Sequence, residues 1–548
     1  MLLPCVSQAY YSLANERKRG LFANSIESVL RLRNEQIDIA TAALLLSRDW
    51  GTNKSLHMYR RKIDRMAQVI LGRMDEGNIG RDHHAIPVIN NYLFKELGFK
   101  PVPTADDPED LFLHIVIDKK RGYCLSLSIL YLSIAERVGL PIYGVVVPGH
   151  FFVRYDDGKN RFNIETTSFG NTAKDDHYIK KFNCPVDENS LYLKNLTKTQ
   201  SLGCFFNNLG NSYSIVNETD YALLELERAV SVTPDLAEAS TNLGNIYLDK
   251  GYPKEAIEQY KYALDILPGD FKARNNLANA YNRLGLTKAA IKEYLAAIKL
   301  KPDFPDAHRN IATAYINSGD YGMAVKSLEK AAGLAPDDSK TFQLLGDTYT
   351  RKKDYTRAIT NYKKALALNT SSTASSTNLA FAYLSVDKPK DAATMFLYAI
   401  KLDPLYSNAY FGLASSYKKL GLQDEEIQAY HQLLEIDPKA VAALQNLGNA
   451  YVDKNDYEKA VEYYSLALQY EPNNGDIHHN LAVVYLNLQM YEESIAEYSL
   501  AIESNPSNAS AHNGLAICHY MLKNFEASKK HALKAKKLGF DVDKKLLK

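Results

Sequence analysis

Cysteine is scarce in this sequence of 548 residues: Cys5, Cys124, Cys184, Cys204 and Cys518 stand apart with no CxxC spacing. That excludes a disulfide framework and a thiolate zinc site, and it predicts a reducing, cytoplasmic setting. Excess charge is also missing, because 65 Lys+Arg meet 64 Asp+Glu and leave a formal +1. Phosphate backbones are bound by basic faces, so no nucleic acid is expected as a partner. No apolar run approaches the roughly 18–20 residues of a spanning helix, and no membrane insertion is expected. MLLPCVSQAYYSLANERKRG lacks the basic n-region and long apolar h-region of an ordinary signal peptide. There is no GxxxxGK(S/T) loop, no GxGxxG after a strand and no HExxH helix, so no cofactor is expected. The doublets His83-His84 and His478-His479 place neighbouring rings on different helical faces, which suits surface positions better than a metal site.

What the sequence has is repetition. Prolines stand at 234, 268, 302, 336, 404, 438, 472 and 506, a period of 34 broken only by Thr370. Tyrosines at 213, 247, 281, 315, 349, 383, 417, 451 and 485 keep the same period, and each follows a Gly or Ala by three places. A second small series runs Ala229, Ala263, Ala297, Ala331, Ala365, Ala399, Ala467, Ala501 and Ala535, interrupted by Leu433. Each unit reads as a helical hairpin. Ala256, Ile257, Tyr260, Ala263 and Leu264 share one helical face, Gly251 ends the first helix and Pro268 stops the second. Small residues let the helices approach, and the tyrosines are expected to fill the gaps. The pattern resembles the tetratricopeptide repeat in period, small–large alternation and closing proline. That resemblance implies ten repeats over 203–542, stacked into an all-α superhelix (an α-solenoid). Lys529, Lys530, Lys534, Lys536 and Lys537 are expected to solvate its exposed end.

With the small Gly/Ala counted as position eight, position six reads Asn208, Asn242, Asn276, Asn310, Leu344, Asn378, Gly412, Asn446, Asn480 and Gly514. Position nine adds Asn211, Asn245, Asn279 and Asn449. A carboxamide is donor and acceptor at once, which suits an extended peptide backbone, and asparagine is a poor choice in mid-helix. The series looks like the asparagine ladder of O-linked N-acetylglucosamine transferase repeats, and so implies peptide binding by main chain. Repeats that grip a C-terminal carboxylate carry a lysine at position five. Here only Arg309 is cationic there, so that subtype is set aside.

Residues 1–200 lack the period. Segments within 24–74 read as amphipathic helices. Then LSLSILYLSIAERVG reads as a helix ending at Gly139, and IYGVVV, HFFVRY and RFNIET read as strands, the last two joined by a DDGKN turn. Cys124 opens the helix, His150 begins a strand, and Glu165 lies on its antiparallel partner. The positive end of the helix macrodipole favours a thiolate at Cys124. His150 would complete an ion pair with it, and a carboxylate at Glu165 would orient the ring.

The order of cysteine on a helix, then histidine and acid on adjacent strands, resembles the transglutaminase-like superfamily. IDIATAALLLS, NNYLFKELGF, RGYCLSLSILYLSIAERVGLP, VPGHFFVRY and IETT look more closely like its bacterial invasion-regulator branch. The resemblance implies Cys124 as nucleophile, His150 as base and Glu165 as orienting acid, with Glu where the superfamily usually has Asp. The expected organisation is an α+β transglutaminase-like domain followed by the repeat superhelix. An arm spans 1–23, the domain 24–170 (helical lead-in 24–105, core 106–170), an ordered linker 171–202, the repeats 203–542 and a tail 543–548. The expected function is an interaction scaffold that binds an extended peptide or protein segment. The alternative is an active cysteine peptidase or amide transferase to which the repeats deliver substrate.

Overall fold

The computed structural model describes residues 23–49, 55–104, 107–185 and 190–547. Cys5 and the expected arm up to residue 22 lie outside them. The chain forms two compact units, Met1–Ala314 and Tyr315–Lys548, the first holding the mixed domain and the earliest repeats.

The mixed domain is built around one buried helix. Helices α1 (Ile39–Asp49) and α2 (Leu56–Glu76) pack on α3 (Cys124–Val138). Thirteen of the fifteen α3 residues are buried, so this helix is apolar nearly all round and carries no polar stripe. Gly139 ends it at φ 85°, a left-handed cap that glycine enters cheaply. Beside α3 lies an antiparallel meander of β1 (Ile142–Val147), β2 (His150–Asp156), β3 (Arg161–Glu165) and β4 (Asn171–Ala173). A two-residue turn closes β1 on β2 with Val147 opposite His150. Alternation divides the side chains: Val146, Phe151 and Val153 enter the core with α3, whereas Val145, Val147 and Phe152 face the other way, toward Tyr178.

The described residues of the segment 171–202 pack on the mixed domain: Asn171–Ala173 supplies the fourth strand, and α4 (Asp175–Phe182) lays Tyr178 and Phe182 on the sheet. Tyr192 and Leu196 then bridge back to Val146 and Gly144 of β1. Glu165 pairs with Asn171 across the β3–β4 ladder, so backbone pairing rather than local strand propensity makes this strand. The first repeat helix (Lys198–Ile215) starts at a capping box between Thr197 and Gln200.

From there twenty helices run in ten hairpins to Phe525–Lys537. The deeply buried rings belong to the second helices, at Tyr260, Tyr294, Tyr362, Phe396, Tyr430, Tyr464 and Tyr498, while several of the periodic first-helix tyrosines are only half buried. These rings explain the small residue at position eight. A Cβ on Gly244 would lie 2.7 Å from the Tyr260 ring, and one on Gly346 2.4 Å from that of Tyr362. Five hairpin junctions carry a cap that the period had not revealed. Arg274, His308, Tyr410, His478 and His512 each reach back six residues to a proline carbonyl, at 2.9–3.4 Å. Hence His478 is not a surface residue: it is 6% exposed, held between Pro472 O and Glu497. The expected tail is also partly built in, since Lys544–Leu547 forms a turn that buries Leu546 against Ala532 and Ala535.

Candidate functional site

Three elements bring Cys124, His150 and Glu165 together. Cys124 is the first residue of α3 and is only 3% exposed. His150 opens β2 just after Gly149, whose φ of 69° makes the tight turn. Glu165 closes β3. His150 Nε2 and Glu165 Oε2 lie 2.7 Å apart, both side chains nearly buried. With Nε2 committed to the carboxylate, Nδ1 is the nitrogen left to address the thiol. Burial opposes a charged imidazole, but the Cys124 and Glu165 interactions outweigh it and raise His150 to about 9. For Glu165, burial pushes upward, yet His150 and Thr167 together bring it below the usual carboxylate range.

The site has supporting residues that sequence reasoning did not single out. Glu165 Oε1 accepts the Thr167 N–H at 3.0 Å and its hydroxyl at 2.6 Å, and Oε2 also accepts Tyr178 O–H at 3.2 Å. Phe182 stacks on the imidazole at 4.8 Å and 7°. Thr166 bonds to Ser128 at 3.0 Å and to the Cys124 carbonyl at 3.4 Å, tying β3 to the first turn of α3. The threonines directly after the acid in IETT were the readable signal; Tyr178 and Phe182 needed the fold. A repeat residue also reaches this neighbourhood. Glu238, in the first helix of the second repeat (Ala237–Asp249), interacts with the Gly149 N–H. Burial and Asp270 push Glu238 up to about 7, against that N–H and Lys272.

The asparagine series is engaged internally. Asn242 donates to Asn207 at 2.9 Å, Asn276 to Asn245 at 2.9 Å and Asn310 to Asn275 at 3.2 Å. Asn378 donates to Asp347 at 3.0 Å and Asn480 to Asn449 at 3.4 Å, while Asn208 turns back to its own helix at Cys204 O. Position nine is held from the other side, with Tyr260, Tyr294 and Tyr464 donating to Asn245, Asn279 and Asn449 at 2.8, 2.5 and 2.6 Å. Asn446 interacts with Tyr430, and Asn211 is exposed. Hence position-six asparagines do not offer a free donor and a free acceptor each; the donor is largely spent on the preceding repeat. Asn245, Asn276, Asn279 and Asn310 line a cavity of about 590 Å³, and Asn449 and Asn480 one of about 310 Å³. Two of the three breaks in the ladder are steric: a Cβ at Gly412 would sit 2.1 Å from Phe396, and one at Gly514 2.2 Å from Tyr498.

Among the described residues, Asp82, His83 and His84 bring one ligand atom each within 4.8 Å of one another. Asp82 Oδ1 is already taken by the His84 N–H and ring, both at 2.9 Å.

Fold and site define an α+β cysteine–histidine–carboxylate domain followed by helical-hairpin repeats. Comparison with known families names both parts: a transglutaminase-like superfamily model matches residues 57–197, and tetratricopeptide-repeat models match segments from 208–271 to 475–508. The chain is a tetratricopeptide-repeat protein with a transglutaminase-like domain. A UPF0162 protein of Xylella fastidiosa is 28% identical over 134 residues, which is 24% of this chain and 47% of that protein. F-box only protein 21 of Mus musculus is 32% identical over 74 residues, 13% of this chain and 12% of that one. The chain thus spans half or less of these curated relatives. Among solved structures, Pseudomonas aeruginosa pilF is similar at 19% identity and a TM-score of 0.36, over 40% of this chain and 99% of that one.

Proposed function

We propose that this protein is an interaction scaffold whose repeats bind an extended protein segment along the asparagine-bearing face of the first helices. The observation that carries this reading is the pre-set geometry of the rungs. Asn242, Asn276 and Asn310 are each fixed by a bond to the preceding repeat, and the Asn242 and Asn310 carbonyl oxygens keep no partner among the described residues. Ordered acceptors suit main-chain N–H groups, and groups already ordered lose little entropy when a ligand arrives. The test is capture of peptides from a display library by the full chain and by Asn276→Ala/Asn310→Ala. Each lost bond should weaken binding by about 0.5–1.5 kcal/mol, with only mild dependence on salt. Undiminished capture by the double variant would place the bound segment elsewhere.

A second reading is favoured by one observation, the charged His150 held between Cys124 and Glu165. In it the Cys124 thiolate adds to a substrate amide carbon. As the C–N bond breaks, the Nδ1 proton of His150 passes to the leaving amine, and a thioester remains. Water or a second amine, giving its proton to Nδ1, then attacks the thioester, so an acid or a new amide leaves and the thiolate returns. Iodoacetamide labelling of the native protein tests this reading. Cys124 should react far faster than Cys184, Cys204 and Cys518, and uniformly slow labelling would defeat it.

A further inference from the structure

The position-nine rungs form an internally controlled series, because the same backbone site recurs with different side chains. It reads Asn211, Asn245, Asn279, Thr313, Asp347, Phe381, Ser415, Asn449, Val483 and Ile517. Across positions five, six and nine, Asp347 is the one carboxylate. It does not sit there loosely. Tyr362 O–H donates to its Oδ1 at 2.7 Å and Asn378 Nδ2 at 3.0 Å, the same pair of bonds that Tyr464 and Asn480 make to Asn449. An asparagine would make both bonds equally well, since only an acceptor is used. The charge is therefore unnecessary for the local structure.

It also has no salt-bridge contact. Asp347 is half buried, and no ion-pair contact reaches it among the described residues, although the Arg351 charge favours its ionised form; Asp38 and Glu293, by contrast, each have an arginine in contact. Burial raises its carboxyl above the usual range despite the two hydrogen bonds. A half-buried carboxylate with one oxygen fixed and the other unbonded is costly without a cation in contact, and an arriving ammonium or guanidinium would relieve that cost. Where Asn245, Asn279 and Asn449 carry an NH2 group beside the bonded oxygen, Asp347 carries a second oxygen instead.

We propose that Asp347 reads a lysine or arginine side chain of the bound segment and so sets the register of that segment along the repeats. This inference rests on the reading of the asparagine-bearing face as a peptide-binding surface. The experiment uses the full-length chain and a display library of random extended peptides, with Asp347→Asn as the variant, because it keeps the acceptor for Tyr362 and Asn378. Wild type should enrich peptides carrying Lys or Arg at one fixed position. A selected peptide should bind Asp347→Asn about tenfold more weakly, whereas its Lys→norleucine counterpart should bind both proteins alike. Enriched peptides without a fixed basic position, or equal binding of the basic peptide to both proteins, would overturn the role of Asp347 and leave the binding face standing. Failure to enrich any peptide would overturn the binding face and this inference with it.

Discussion

The thiol site is assembled once, from three side chains on one helix and two strands, with Thr167, Tyr178 and Phe182 packed behind them. The rung-bearing face is assembled again and again from the same two-helix unit. At the first, each contact is unique: Glu165 has a single imidazole to hold, and His150 a single carboxylate. At the second, rungs vanish at Leu344, Gly412 and Gly514 while the hairpins around them persist. A single-copy site concentrates its chemistry in a few atoms and fails with any of them. A repeated face spreads its polar groups thinly and tolerates gaps, because each repeat is stabilised mostly by its own core and its neighbours.

The largest effect should come from attacking what the repeats cannot vary, the contact between position eight and the ring. Gly346→Val places a branched side chain where a single Cβ already lies 2.4 Å from Tyr362. The ring is anchored to Asp347 and Thr350, so we expect a loss of about 3 kcal/mol, read as faster hydrogen exchange in Ser339–Leu368 than in distant repeats. A uniform loss of protection over all ten repeats would show the array to be less modular than the comparison holds.

Next comes the single-copy site. His150→Ala should slow alkylation of Cys124 by tenfold or more by removing the charged partner. The sign of its pH dependence follows from the raised value. Stabilisation from His150 is complete below its usual 6.5 and is lost as pH rises through about 9, so the wild-type melting temperature should fall over that interval more than that of His150→Ala.

Single rungs should matter less. Asn276→Ala strands the Asn245 acceptor, leaving only Tyr260 on it, and should cost about 1 kcal/mol of stability. Denaturant titration measures it. The smallest effect is expected at Glu238. Its raised value means stability present below about 4.5 and lost as pH climbs through about 7. Glu238→Gln should remove that slope, as followed by melting temperature between pH 5 and 8.

The sequence made the two regions legible to different depths for a physical reason. The repeat restates itself ten times, so period, helix ends and the small residue emerge by superposition, and the order Cys124, His150, Glu165 lies within one continuous stretch of helix and hairpin. Tertiary pairings were hidden. Asn171–Ala173 becomes a strand only because Glu165 lies opposite, and Tyr178 matters only once α4 folds over β2. The rung bonds were hidden more thinly. Their partners lie 31 or 35 residues apart, and setting position six of one repeat against positions five and nine of the one before would have paired them.

Those bonds have a sense. In Asn242, Asn276, Asn310, Asn378 and Asn480 the NH2 group always belongs to the later repeat and the accepting oxygen to the earlier one. Amide dipoles laid head to tail in this way give the face a polarity along the chain, within each of the two compact units. An extended polypeptide is polar too, since its N–H and C=O groups alternate differently when the strand is turned end for end. On the proposed reading the face would distinguish the two directions of travel, and a captured peptide and its reversed-sequence counterpart should differ in affinity. Equal affinities would mean that the bound segment is held by its side chains alone.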